Sequence, residues 1–65
     1  SLFRAACLLN EGLFLAAYRE ASQLAEAGKT DEQVLAVMQK ALEGMELKDT
    51  PLWEDLIERV DRAGG

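Results

Sequence analysis

Ser1, Ser22, Thr30 and Thr50 are the aliphatic hydroxyls of this sequence and Cys7 is its one thiol, and each would need a base at hand to act as a nucleophile. The chain has no histidine, so a Ser-His or Cys-His arrangement cannot be built. Cys7 lies in the apolar run Ala5-Ala6-Cys7-Leu8-Leu9 and reads as a small buried hydrophobe rather than a reactive thiolate. Acid–base chemistry would fall to carboxylates one helical turn apart, Glu54 with Glu58 or Asp55 with Glu58, which could raise a pKa or hold a cation. Arg59 and Arg62 stand close enough to pair with them, which makes a solvated outer helix face the ordinary explanation. One cysteine and no histidine exclude the usual zinc sets, and no calcium loop, phosphate-binding loop or dinucleotide fingerprint occurs. Neither an enzyme nor a cofactor is expected.

The elements that would position these residues are helical. Gly28-Lys29 and Lys48-Asp49-Thr50 divide the chain into three stretches of helical spacing, near residues 2–27, 31–46 and 51–63. Gly28 suits the left-handed position after the first helix, and Asn10-Glu11-Gly12 is that helix's weak point, where a kink or a break is the alternative. Thr30 and Gln33 form a capping box for the second helix, whose apolar face is Val34, Leu35, Val37, Met38, Ala41, Leu42 and Met45. Thr50 or Asp49 caps the third, with Pro51 at its first position and Leu52, Trp53, Leu56, Ile57 and Val60 as its stripe. Without alternating polar and apolar runs, no strand is expected. The expected fold is an all-α, three-helix mini-domain, a helical hairpin plus a third helix, forming a single interaction domain over residues 1–65.

A core of this size supplies only about 3–5 kcal/mol, and with no disulfide or metal, association is the remaining support. The first helix shows how. Placed on a wheel of about 100° per residue, it is apolar almost all round as far as Tyr18. Leu2, Leu9, Leu13 and Leu24 form one seam, edged by Phe3 and Phe14. Leu8 and Leu15 point elsewhere, among Arg4, Glu11, Arg19 and Ser22. A helix apolar round most of its circumference is normally central or meets another chain. The expected interface residues are therefore Leu8, Leu15, Arg4, Glu11, Leu13 and Leu24, with a homodimeric helical bundle as the simplest assembly. Two alternatives stand beside it: a kink at Gly12 turns both leucines into one small core, or they are singly exposed.

Charge narrows the partners. Seven basic and twelve acidic residues leave a net charge of -5, which opposes a phosphate backbone or an anionic membrane. Three short helices invite a helix-turn-helix reading, yet the helix that would enter the groove carries Glu54, Asp55, Glu58 and Asp61 against two arginines. A protein partner is expected, with neither nucleic acid nor membrane, in a reducing cytoplasm. Trp53 and Tyr18 read as core residues before partner anchors. The closing Gly64-Gly65 matches double-glycine leaders, but Arg59 and Arg62 stand where such leaders carry hydrophobic residues. The start at Ser1 rather than methionine is what an excised piece of a longer polypeptide, or a tag remnant, is expected to show.

The opening Leu2-Phe3-Arg4-Ala5-Ala6-Cys7, with Gly12, Leu15 and Ala21-Ser22-x-Leu24 behind it, resembles the helical docking or linker segments of modular polyketide synthase subunits, especially those that precede thioesterase domains. The resemblance covers residues 2–24 and implies a dimerising helical element that joins multienzyme subunits, with Leu8, Leu13, Leu15 and Leu24 as contacts. Gly28-Lys29-Thr30-Asp31-Glu32 with Gln39-Lys40-Ala41-Leu42-Glu43 is similar to tetratricopeptide-like helix pairs, without that repeat's aromatic and small-residue positions. The functional expectation is a non-catalytic docking or dimerisation module. The competing reading is a free-standing small regulator, such as an adaptor, chaperone or inhibitor.

Overall fold

Ser1 opens the first helix by accepting, through Oγ, the Arg4 N–H at 3.2 Å, in a computed structural model that describes residues 1–28 and 31–64. This helix, α1, spans Leu2–Asn10 and stops where Gly12 adopts a φ of +79°. There the Leu13 N–H donates to the Leu8 carbonyl and the Gly12 N–H to the Leu9 carbonyl, each at 3.0 Å. That pair of bonds satisfies carbonyls at a helix end and turns the chain away from the axis. The single helix expected over 2–27 is therefore two, the break that was the alternative at Gly12, and the three-helix count is corrected to four among the described residues. Helix α2 spans Phe14–Glu26, and beyond it Gly28 takes a φ of +87°, the left-handed turn expected of that residue.

Helix α3 spans Glu32–Gly44. The expected cap, Thr30, lies outside the described residues, and the cap observed stands one residue later, where Asp31 Oδ1 accepts the Val34 N–H at 2.9 Å. An aspartate does this at least as well as a threonine. At the other end Gly44 remains helical, and Glu46 takes the left-handed conformation, with a φ of +59°. The Leu47 N–H then reaches the Leu42 carbonyl at 2.9 Å and the Glu46 N–H the Glu43 carbonyl at 3.0 Å, the same closure as at Gly12 but built on a non-glycine residue. Gly44 serves packing instead: a Cβ there would stand 2.6 Å from Cδ1 and Cζ of the Phe14 ring. Helix α4 spans Pro51–Gly64, and the Thr50 hydroxyl joins it to α3 by donating to the Leu47 carbonyl at 2.6 Å and accepting the Trp53 N–H at 3.4 Å.

Among the described residues there is no strand, and the fold is all-helical. The central element is α3. Val34, Leu35, Val37, Met38, Ala41 and Leu42 are all buried, and α1, α2 and α4 each pack against α3. Ala5, Ala17, Ala21 and Ala41 have no exposed surface, and such short side chains let backbones come close in a small core. Only Leu56 of α4 is fully buried among the described residues, Trp53, Ile57 and Val60 are half-buried, and Leu52, expected on the same stripe, is exposed because it stands in the first turn at the stripe's edge.

Two substitutions at the left-handed turns should move stability in opposite directions. Gly12→Ala meets no atom within 4 Å, so its cost is the backbone alone, about 1–2 kcal/mol for a side chain in that conformation. Glu46→Gly removes the same penalty at φ +59° and should stabilise by up to about 1 kcal/mol. Urea denaturation midpoints measure both; a Glu46→Gly protein less stable than wild type would contradict the account.

Candidate interaction surface

The positions that could carry chemistry are dispersed. Glu54, Asp55 and Glu58 are exposed along α4. Among the described residues no three His, Cys, Asp or Glu side chains gather into a possible metal site. Ser22 Oγ is buried with no hydrogen-bond partner among the described residues, and no histidine exists to activate it. Trp53 lies half-buried against the core, with Lys48 Nζ 5.3 Å from its ring centroid, a favourable placement of a cation over an indole face. No helix among the described residues is long and apolar enough to cross a membrane.

The six residues expected to form an interface divide into two groups. Leu8 and Leu24 are half-buried and pack against the core. Arg4, Glu11, Leu13 and Leu15 are exposed, Leu13 to 52% and Leu15 to 59%. The break at Gly12 explains the separation of Leu8 from Leu15, since the two no longer share a helix and the chain turns between them. Leu15 then shares the outward side of α2 with Arg19 and Gln23.

The apolar surface that α1 leaves open is a different one. Phe3 is 80% exposed, the most of any large apolar side chain in the described residues, and Ala6, Cys7 and Asn10 are exposed with it. The cause is helical geometry. Ala5 faces the core with no exposed surface, and Phe3 and Cys7 each lie two positions from it, about 200° around the helix. The reading of Cys7 as buried is corrected on this ground: Ala5 and Leu9 take the inward positions, and Cys7 is a free, exposed thiol. Phe3, Ala6, Cys7, Asn10 and Glu11 line a shallow, open depression of about 450 Å³. Their i, i+3, i+4, i+7 spacing was present in the sequence, but with Arg4, Asn10 and Glu11 as the only polar residues of a mostly apolar stretch, the pattern does not say which way the helix turns.

Electrostatics on the other flank of α1 tie it to α2. Glu20 Oε1 accepts a hydrogen bond from the Ser1 amino group at 2.9 Å, and Arg4 Nε lies 4.0 Å from Glu20 Oε2. The hydrogen bond from the amino group, more than the charges of that group and Arg4, holds the Glu20 carboxyl below its ordinary range, against an opposing effect of burial. A lowered carboxylate pKa stabilises the fold above the unfolded value, and the contribution fades as pH falls through the folded one.

Comparison with protein-family models, curated proteins and solved structures finds no match. The site therefore rests on its own geometry.

Leu8→Glu and Leu15→Glu should behave differently. The first places a charge against the core and should lower stability by at least about 1–3 kcal/mol, while the second sits at an exposed position and should stay within about 0.5 kcal/mol of wild type. Thermal melts by circular dichroism at low protein concentration, where association does not contribute, check both; equal losses would show that the two leucines share one environment.

Proposed function

We propose that this chain is a non-catalytic protein–protein interaction module, a helical docking or dimerisation element that joins subunits of a larger assembly. The observation that carries the reading is the set of large apolar side chains the fold leaves in water: Phe3, Leu13, Leu15 and Leu52, each at least half exposed. Burying one such side chain is worth about 1.5–3 kcal/mol, comparable with what a whole core of this size supplies. The fold gains little from them where they stand, and a covering surface would gain much. The resemblance of residues 2–24 to polyketide synthase docking segments is in keeping with this reading, since it implies an associating element within the residues that form α1 and most of α2. An exposed single thiol suits a reducing compartment such as the cytoplasm. Dimerisation is the form of the module that the isolated chain itself can display.

The test replaces all four residues together, with Phe3→Ser, Leu13→Ser, Leu15→Gln and Leu52→Gln. The variant should keep the helical circular dichroism of the wild type and remain monomeric in sedimentation equilibrium. The wild type should associate, with a melting temperature that rises with concentration as mass action requires. A wild type that stays monomeric at high micromolar concentration and melts independently of concentration would count against self-association, and a variant that loses its helices would show that the four side chains serve the fold.

A further inference from the structure

We infer that the outer face of α1 pairs with the same face of a second copy of this chain, the two helices running antiparallel about a two-fold axis close to Cys7. The inference rests on the interaction-module reading and adds the occupant, the face and the orientation. Charge selects the face, and the complementary pair Arg4 and Glu11 at its edge selects a second copy as the occupant. Each copy carries a net charge of -5, so two copies repel over most of their surfaces. Most acidic residues lie elsewhere: Glu20 and Glu26 on α2, Glu32 and Glu43 on α3, Glu54, Asp55, Glu58 and Asp61 on α4, and Asp31, Glu46 and Asp49 in the turns, which leaves Glu11, just past the end of α1, as the one acid beside its open face. Helix α1 has none, and its one charged side chain is Arg4. Two copies of an acidic chain can therefore meet with least repulsion through α1, which also carries the most exposed aromatic ring.

Shape and charge position then select the orientation. The face offers a protruding ring, Phe3, at one end, and beside it the depression floored by the small side chains Ala6 and Cys7 and bounded by Asn10 and Glu11 at the other. Reversing one helix against the other seats each Phe3 ring over the far end of its partner's depression. Arg4 and Glu11 are seven residues apart, so they lie on the same edge of the face, on either side of Cys7. A two-fold axis perpendicular to the helices brings Arg4 of one copy beside Glu11 of the other, and does so twice. In a parallel pair the two-fold runs along the helices and sets these edges on opposite sides, so neither charge gains a partner. Exposed ion pairs contribute little affinity, but they fix register and orientation. A contact confined to one face of a nine-residue helix is smaller than a standard interface, so dissociation in the micromolar range is expected.

Charge exchange tests this arrangement. In sedimentation equilibrium Arg4→Glu should weaken the dimer about tenfold, because it turns two attractive contacts into two repulsive ones, and Glu11→Arg should do the same. An equimolar mixture of the two variants should regain the wild-type dissociation constant. In the mixed dimer both contacts are again between opposite charges, one formed by the two introduced side chains and the other by the native Arg4 and Glu11 that each variant retains. Phe3→Ser should remove the dimer while leaving the helical signal intact. A short bis-maleimide should join two wild-type copies through Cys7, the chain's only thiol. Arg4→Glu also loses the approach to Glu20, so each variant is first compared with wild type by circular dichroism at the concentration used; Glu11→Arg breaks no ion pair among the described residues and carries the test if Arg4→Glu is poorly folded. A wild-type dimer that neither Phe3→Ser nor the charge reversals weaken would overturn the inference while leaving the module reading in place. A dimer weakened by the single variants but not restored in the mixture would overturn the antiparallel arrangement. A monomeric wild type would overturn the inference and the self-association on which it rests.

Discussion

Six side chains of α3, Val34, Leu35, Val37, Met38, Ala41 and Leu42, leave water together, and every other helix is placed by the need to cover them. They span an arc of about 160° on the helix, wider than one neighbour can shield. Helices α1 and α2 cover part of that arc and α4 covers another. The cover is close because it is thin: Ala5, Ala17 and Ala21 meet the core with no exposed surface, and a larger residue at any of these positions would hold the helices apart.

That central burial makes the chain reversals matter more than the helices they separate. Gly12 ends α1 after nine residues, so that α1 and α2 can pack on one another instead of extending as a single rod. Glu46 ends α3 in a conformation that costs a non-glycine residue about 1–2 kcal/mol, a cost accepted where the Leu47 N–H must come back to the Leu42 carbonyl. Thr50 then starts α4 from the same carbonyl-rich turn. Gly44 belongs to this set in another way, because its missing side chain leaves room for the Phe14 ring and so ties the start of α2 to the last turn of α3.

A helix as short as α1 can cover only a little of α3, and just one of its residues is fully buried. Leu2, Leu8 and Leu9 pack half-buried against the core, and Phe3, Ala6 and Cys7 are left to face outward. The same composition that makes α1 a good neighbour for the core on one side leaves Phe3 and Cys7 in water on the other, whereas α4, acidic along its outer face, has a side made for solvent. The contrast between these two helices underlies the proposal that association runs through α1.

The sequence by itself determined the helical class, the apolar stripe of α3, the stripe of α4 apart from Leu52, the turn at Gly28 and the start of α4 at Thr50-Pro51, because each depends on local periodicity or on a residue with a backbone preference of its own. It also showed that the first stretch was apolar on more than one side, and it named Gly12 as the place where that stretch could break. It could not say whether the break occurs. A glycine within a helical pattern costs only about 1 kcal/mol, and whether the chain bends there depends on what α2 gains by packing against α3. With the break decided, the rest of the reading moved: Leu8 turned to the core, Leu15 stood alone on α2, and the open face became that of Phe3, Ala6 and Cys7. Periodicity assigns a residue to a face of its helix, but only the neighbouring helices decide which face is inside, and in α1 both faces were apolar enough to qualify.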